Sequence, residues 1–229
     1  MNYFSKNVEF LRNEKKIPAA DFAKLCGIIS IDEIESGKKE PSLDEIMRIS
    51  EALNYPVDRL LKEDISGTQE NLKNLRIEFL ALDIDGVLTD GGMFYSQNGD
   101  EFKKFNTKDG LAIKTITSKK FNVGFISSGI NDHIISERAR LLGVQHVYVG
   151  TWKKLEILEG WCDKMKIKLE NVAYIGDDVN DLAVIEKVGL SACPADAVLK
   201  IKQSAQIVLE KKGGKGCVRE FIERFIMLI

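Results

Sequence analysis

The spacing of apolar positions changes near residue 75. Before that point apolar residues recur three and four apart, in short blocks. Val8 and Leu11 open one block, and Ile17-Pro18 closes it because proline cannot continue a helix. Ala20, Phe22, Ala23 and Leu25 form a second, stopped at Gly27. Ile31 and Ile34 form a third, ending at Gly37. The run Pro41-Ser42-Leu43-Asp44-Glu45 reads as a helix start, with Ser42 as N-cap and Glu45 at the capping-box position. Ile46, Ile49 and Leu53 follow at helical spacing. The pattern predicts five short helices, an all-α domain over residues 1–64.

Beyond residue 75, continuous apolar runs alternate with amphipathic stretches. Strands are predicted at 77–83, 122–127, 145–149, 172–176, 189–193 and 206–209, and helices at 110–120, 132–142, 153–165 and 179–187. Such alternation predicts an α/β domain over 76–229, a Rossmann-like parallel sheet covered on both faces. Ligands in these folds bind beyond the carboxyl ends of the strands. Residues 65–75 lie between the two domains. The stretch from Asp64 to Asn71 is polar and reads as a linker, or as the start of a short helix through Leu72 and Leu75.

Charge sharpens this division. The 229 residues carry 33 Lys plus Arg against 35 Asp plus Glu, a net −2, which offers no bulk basic field for nucleic acid. Residues 1–64 hold 10 basic and 13 acidic side chains, and the rest of the chain 23 and 22. A hydrophobic content of 44% suffices for packed cores and excludes a disordered chain. No apolar run approaches the roughly 18 residues that span a bilayer. The first residues lack an apolar signal core, so the expectation is a cytoplasmic protein without membrane contact. Cys26, Cys162, Cys193 and Cys217 form no C-x-x-C pair and read as reduced thiols. His133 and His146 read as surface or helix-edge residues, and Trp152 and Trp161 as packing residues, with Trp152 also placed to line a site mouth.

Two strands end in carboxylates. The first runs into Asp83-Ile84-Asp85-Gly86, and the fourth into Gly176-Asp177-Asp178-Val179-Asn180-Asp181. One acidic strand end is explained as a helix cap. Two at the same sheet edge imply a cation joining them, and hard carboxylate oxygens suit Mg2+. Ser127-Ser128-Gly129 follows the second strand, where hydroxyl and N–H groups can meet a phosphate. Lys154, with Lys153 as its rival, follows the third strand and can neutralise a phosphoryl oxygen.

This order, D-x-D-G-V-L-T, a hydroxyl after a strand, a lysine, then G-D-D-x-x-D, resembles the haloacid dehalogenase superfamily of phosphotransferases. The resemblance implies that Asp83 is the nucleophile and a metal ligand. It also implies that Asp85 is the general acid/base and lends a backbone carbonyl to Mg2+, and that Asp177 is a metal ligand. Ser127 and Lys154 would hold the phosphoryl group, with Asp178 and Asp181 behind them and Asp181 orienting Lys154. The 44 residues from Asp83 to Ser127 and the 23 from Lys154 to Asp177 leave no room for a cap domain. Residues 92–103, centred on Asn98-Gly99, read instead as a β-hairpin flap. Capless relatives close their sites with neighbouring subunits, which implies a homotetramer.

Within the superfamily, LDIDGVLTDG, FNTKDG (105–110), ENVAYIGDDVND (170–181), EKVGLS (186–191) and GGKGCVRE (213–220) resemble the 3-deoxy-D-manno-octulosonate 8-phosphate phosphatases. That resemblance implies a phosphorylated keto-sugar acid as substrate and a place in lipopolysaccharide biosynthesis. It places substrate contacts at Asp85, Asn106, Thr107, Lys108, Asp109, Gly110, Lys114, Arg138 and Lys154, with Arg219 as a further candidate. The family's Thr-Gly-Arg after the second strand is here Ser127-Ser128-Gly129 without the arginine, which leaves a nine-carbon sugar acid as a rival substrate. The Gly-rich run 213–216 offers either a phosphate cradle or a mobile tail.

Residues 7–61 resemble the lambda-repressor/Cro-like helix-turn-helix module, through FAKLCG (22–27), IDEIESGKKEPS (31–42) and LDEIMRISEAL (43–53). In that family the third helix enters the major groove. Here it carries Asp32, Glu33 and Glu35, which face phosphates badly, and only Lys38 and Lys39 favour them. The usual Gln position is Ala19, and the stretch from Gly27 to Gly37 is about two residues short. The expectation is a module now used for packing or assembly. The alternative is a DNA-binding regulator whose second domain senses a sugar phosphate.

Overall fold

The computed structural model describes residues 3–62, 64–67 and 75–227. The chain divides into two compact units, Met1–Asn74 and Leu75–Ile229. Most of the stretch read as a linker lies outside the described residues. Ile65 is packed in the core of the first unit, and the N–H groups of Ile65 and Ser66 donate to Asn7 Oδ1 at 3.0 and 3.3 Å. Residues 65–67 are therefore helical and belong to the helical unit.

The first unit holds α1 (Tyr3–Glu14), α2 (Ala19–Cys26), α3 (Asp32–Glu35), α4 (Leu43–Leu53) and α5 (Val57–Lys62). Its core gathers Phe4, Val8, Phe22, Ile31, Ile34, Ile49, Leu53 and Leu60; the three- and four-residue spacing singled out all of these but Phe4 and Leu60, whereas Leu25 of the second block is exposed. The capping box on α4 forms as expected, with Ser42 accepting from the Glu45 N–H and Glu45 accepting from the Ser42 N–H. Of the three acids on α3, Glu35 turns inward. Arg12 donates to both its oxygens at 2.7 and 2.8 Å, and that pairing holds the guanidinium proton more tightly than usual. Lys39 is engaged by Glu45 at 2.6 Å, leaving Asp32 and Glu33 exposed on the helix that would meet DNA.

The second unit is a parallel sheet of six strands in the order β5-β4-β1-β6-β7-β8. The strands are β1 (Phe79–Leu82), β4 (Asn122–Ser127), β5 (His146–Val149), β6 (Val172–Ile175), β7 (Leu190–Cys193) and β8 (Ile207–Val208), all within the predicted spans. The helices are α6 (Thr107–Ser118), α7 (Asp132–Leu142), α8 (Lys154–Met165), α9 (Leu182–Ile185), α10 (Leu199–Ser204) and α11 (Cys217–Phe221), the last continuing as a π-turn over Ile222–Ile226. Central β1 pairs with β4 and β6, Leu82 lying opposite Phe125 and Ile175. Because the order reverses beside β1, its carboxyl end opens at a switch point of the sheet. β2 (Phe94–Tyr95) and β3 (Glu101–Phe102) pair antiparallel as the expected hairpin flap.

Three expectations need correction. The Gly-rich run is no mobile tail. A Cβ on Gly213 would lie 1.9 Å from the Gly86 carbonyl oxygen, so only glycine permits this segment to lie against the loop that follows Asp85. The Gly214 N–H and the Cys217 thiol both donate to the Val87 carbonyl, at 2.9 and 3.3 Å. His146 is no surface residue, since its ring packs 5.4 Å from both Phe79 and Trp161. Trp152 is exposed, while Trp161 does pack. All four cysteines are free and buried, and burial raises their thiols, that of Cys26 to about 11.

Candidate active site

The apolar run of β1 carries Asp83 and Asp85 out of the core at the switch point, and β6 delivers Asp177 and Asp181 beside them. Gly86 makes that meeting possible. Its φ is +88°, and a Cβ there would lie 2.0 Å from an Asp177 carboxylate oxygen. β4 ends in Ser127, and α8 begins at Lys154. Asp83, Asp85, Ser127, Asp177 and Asp178 line one cleft of about 340 Å³, together with Gly86, Gly91, Ser128, Gly129 and Asn180.

Lys154 is the electrostatic centre. Its side chain is 2% exposed, and its Nζ lies 2.8 Å from Asp83 Oδ1 and 2.6 Å from Asp181 Oδ1. Burial alone would lower this ammonium, but the two carboxylates outweigh it and raise it. Asp181 is fully buried and holds four donors. Lys154 Nζ and Tyr174 OH reach Oδ1, both at 2.6 Å, and the N–H groups of Asp177 and Asp178 reach Oδ2 at 2.9 and 3.3 Å. Burial, and then the charge of Asp181, push the Tyr174 phenol well above its usual range, so it stays a donor.

Asp83, Asp177 and Asp181 each present an oxygen within 4.8 Å of the others, a set that could hold a metal ion. The donor count distinguishes them. Asp181 has spent its lone pairs on four partners, whereas Asp177 Oδ1 is buried with no partner at all. Asp83 and Asp177 are also the two acids that suffer from their surroundings. Burial and then Asp181 push Asp83 well above the ordinary carboxylate range and Asp177 up to about 6. A divalent cation against Asp83 and Asp177 would satisfy the orphan oxygen and offset both costs. Asp181 is the strut that fixes Lys154 and the Asp177-Asp178 backbone.

The structure brings in partners that sequence reasoning missed. Lys103, one residue past β3, donates to Asp85 Oδ1 and to Glu101 Oε1, both at 2.7 Å. Thr89 Oγ donates to the same Asp85 oxygen at 3.3 Å. The Ser127 hydroxyl accepts from the Gly129 N–H at 3.0 Å, and Asn180 Nδ2 donates to Ser128 Oγ at 3.2 Å, tying two cleft loops together. Of the two partners of Asp85, only Thr89 carried a sequence signal, as the last residue of the D-x-D-G-V-L-T run. Tyr174 carried a weaker one, as a phenol in an otherwise aliphatic buried strand.

The residues expected around the sugar lie elsewhere within one chain. Asn106 caps α6 by accepting the Lys108 N–H at 2.8 Å, and its Nδ2 donates to the Gly214 carbonyl at 3.0 Å. Asp109 is buried, and its two oxygens accept the N–H groups of Arg219 at 2.7 Å and Gly216 at 3.2 Å. It serves as a strut for α11. Arg138 lies between α6 and α7. Its guanidinium is 5.2 Å from the Phe105 ring centre, and a Cβ on Gly110 would meet its Nη2 at 2.3 Å. Thr107, Lys108 and Lys114 are exposed on α6. Lys108 shares a basic cavity of about 310 Å³ with Lys211, Lys215, Arg219 and Arg224. A larger cavity of about 630 Å³ adjoins the cleft and is lined by Ser128, Trp152, Lys153, Lys154 and Asn180, among others.

Comparison with known proteins agrees with this geometry. Residues 62–222 match the family of haloacid dehalogenase-like hydrolases, and residues 8–60 match a helix-turn-helix family. The chain is 37% identical over 164 residues to the 3-deoxy-D-manno-octulosonate 8-phosphate phosphatase KdsC of Escherichia coli, covering 72% of this chain and 84% of that one. It resembles a solved probable YrbI family phosphatase from Pseudomonas syringae, with a TM-score of 0.66 and 35% identity over 69% of this chain and 90% of that one. It is also similar to the 3-deoxy-D-manno-octulosonate 8-phosphate phosphatase of Moraxella catarrhalis, solved with magnesium ion, phosphate ion and KDO. There the TM-score is 0.65 and the identity 29%, over 69% of this chain and 91% of that one. Among the described residues no helix is long and apolar enough to cross a membrane. The chain belongs to the haloacid dehalogenase-like hydrolases, as a phosphoric monoester hydrolase that also carries a helix-turn-helix module.

Proposed function

We propose that the protein is a Mg2+-dependent phosphatase of 2-keto-3-deoxy sugar acid phosphates. The substrate is 3-deoxy-D-manno-octulosonate 8-phosphate or a nine-carbon relative. The observation that carries the reading is the Asp83–Lys154–Asp181 chain beside the unpartnered Asp177 Oδ1. It sets a nucleophile, a fixed cation and an open ligand oxygen around one cleft.

Asp83 attacks phosphorus in line, forming an aspartyl-phosphate as the bond to the sugar oxygen breaks. Asp85 gives that oxygen a proton and then takes one from the water that hydrolyses the aspartyl-phosphate, releasing inorganic phosphate. Lys154, Ser127 and the N–H groups of the 127–129 loop hold the equatorial oxygens. Mg2+, held by Asp83, Asp177 and the Asp85 carbonyl, would supply further charge stabilisation there. Asp83 and Asp181 keep Lys154 protonated, and Asp181, itself held by Tyr174, keeps it in place.

Asn106–Gly110, Lys114 and Arg138 stand apart from the cleft of their own chain, and a capless site needs closing. In the proposed assembly, a cytoplasmic homotetramer, the exposed Thr107, Lys108 and Lys114 face a neighbour's site, while the buried Asp109 supports them from behind. The test is a phosphatase screen over keto-sugar acid phosphates with and without Mg2+. Turnover confined to the eight- or nine-carbon acids with Mg2+ is the expected result, and indifference to Mg2+ would refute it. The helix-turn-helix match favours a second reading, a DNA-binding regulator, and specific nanomolar gel-shifts that persist at raised salt would put it first.

A further inference from the structure

The proposed chemistry asks one carboxyl, Asp85, to give a proton and then accept one, so which oxygen does this matters. Its two oxygens are not equivalent. Oδ1 receives Lys103 Nζ at 2.7 Å and the Thr89 hydroxyl at 3.3 Å. Oδ2 points the other way, toward Gly129, where a Cβ would lie 4.0 Å from it and 3.1 Å from Ser127 Oγ. Oδ2 thus faces the cleft beside the phosphate-holding hydroxyl, and Asp85 is 38% exposed there.

The group that fixes this orientation comes from the flap. Lys103 follows β3 directly, and its side chain is only 5% exposed although the flap itself is open to solvent. Its ammonium is held between Asp85 and Glu101, and the Glu101 side chain is only 11% exposed. A nearly buried lysine shared by two carboxylates is a rigid linkage, unlike an exposed ion pair, which contributes little. Lys103 contacts neither the cleft floor nor Asp83, Lys154 or Asp177 in the interactions described.

We infer that Lys103 is a positioning residue for proton transfer: it pins Asp85 Oδ1 so that Oδ2 serves as the proton donor and acceptor, and it makes the seat of the flap a condition for that orientation. This deepens the proposed phosphatase reading and rests on it. Oδ2–H protonates the bridging oxygen as the Asp83–phosphorus bond forms and the phosphorus–oxygen bond to the leaving group breaks. Oδ2 then takes a proton from water as water replaces Asp83 on phosphorus.

Leaving groups test this cleanly. A nitrophenolate leaves without help, whereas an alkoxide or phenolate needs a proton. We expect Lys103→Met to lower kcat/KM for phenyl phosphate and 3-deoxy-D-manno-octulosonate 8-phosphate by about 100-fold, the usual worth of a placed general acid. For p-nitrophenyl phosphate we expect a fall of no more than about threefold, with kcat reduced further and a burst of nitrophenolate, because the aspartyl-phosphate then hydrolyses slowly. Glu101→Gln should shift the same ratio in the same direction and by less. Equal losses on all three esters, or none, would overturn the role of Lys103. A wild-type protein without Mg2+-dependent turnover of p-nitrophenyl phosphate, or an Asp83→Asn variant that retains it, would instead overturn the underlying phosphatase reading. An unchanged melting temperature distinguishes either result from misfolding.

Discussion

The two units spend their acidic side chains in opposite ways. In the sheet unit, Asp83, Asp177 and Asp181 are drawn out of solvent and organised by Lys154 and Tyr174. In the helical unit, Asp32 and Glu33 stay exposed on α3, and Glu35, whose side chain is only 6% exposed, is tied to Arg12. Burying charge is costly, and a fold maintains it when the arrangement has a use. Exposed charge costs almost nothing and follows whatever surface is in contact. The sheet unit therefore concentrates its acids around one cleft, and the helical unit leaves like charge on the helix that a helix-turn-helix module would present to DNA.

The contrast can be broken at its strongest point. Asp83→Asn should lower turnover by at least about 10³-fold, as loss of a nucleophile does. The same variant should melt no lower than wild type, because burial already makes this carboxylate costly to ionise. Near-normal activity would remove the basis of the comparison. Asp181→Asn comes next. Both Asp181 oxygens accept hydrogen bonds, so an amide there would turn an NH2 group against Lys154 and Tyr174 or against the Asp177 and Asp178 N–H groups, and should cost about 3 kcal/mol in denaturant unfolding of the sheet unit, along with activity. A cost under about 0.5 kcal/mol would place the Lys154–Asp181 pair with ordinary surface ion pairs.

The helical unit offers the opposite experiment. The wild-type protein should show only weak, salt-sensitive gel-shifts. Asp32→Lys with Glu33→Lys should strengthen non-specific DNA binding by on the order of tenfold and steepen its salt dependence, each new phosphate contact adding about 0.9 to the slope. No change would mean that α3 does not face DNA in any mode. The smallest effect is expected at His146, where burial, and then Lys164, lower the imidazole below its ordinary value. The unfolded chain takes up this proton first as the pH falls through the ordinary histidine range. The sheet unit therefore loses stability on the acid side and keeps it above about pH 6.5. His146→Phe, packed against Phe79 and Trp161, should narrow the stability difference between about pH 8 and about pH 5. An unchanged difference would show that His146 titrates as it does in water.

The sheet was legible because its central strands are buried on both faces. Runs such as VAYI and NVGFIS have no polar side to mislead, and all six strands fall inside the expected spans. The carboxylates were legible because charge at the end of such a run is conspicuous. Lys103 was not, because its meaning depends on a contact with Asp85 made across a flap whose register no local pattern fixes. Asp109 was read as facing sugar because FNTKDG resembles a substrate loop. Its carboxylate instead meets backbone groups more than a hundred residues away. The glycines at 213–216 looked like a tail because glycine signals freedom and close approach with the same letter.

That close approach also governs when the molecule becomes competent. The loop carrying Asp85 leans on residues synthesised more than a hundred positions later, through Gly213, Gly214 and Cys217. At ordinary rates of translation these arrive on the order of ten seconds after the first catalytic aspartate. The nascent chain holds its proposed nucleophile, Asp83, long before it holds the floor beneath the Asp85 loop, so newly made protein should gain phosphatase activity only as the segment around residue 217 leaves the ribosome.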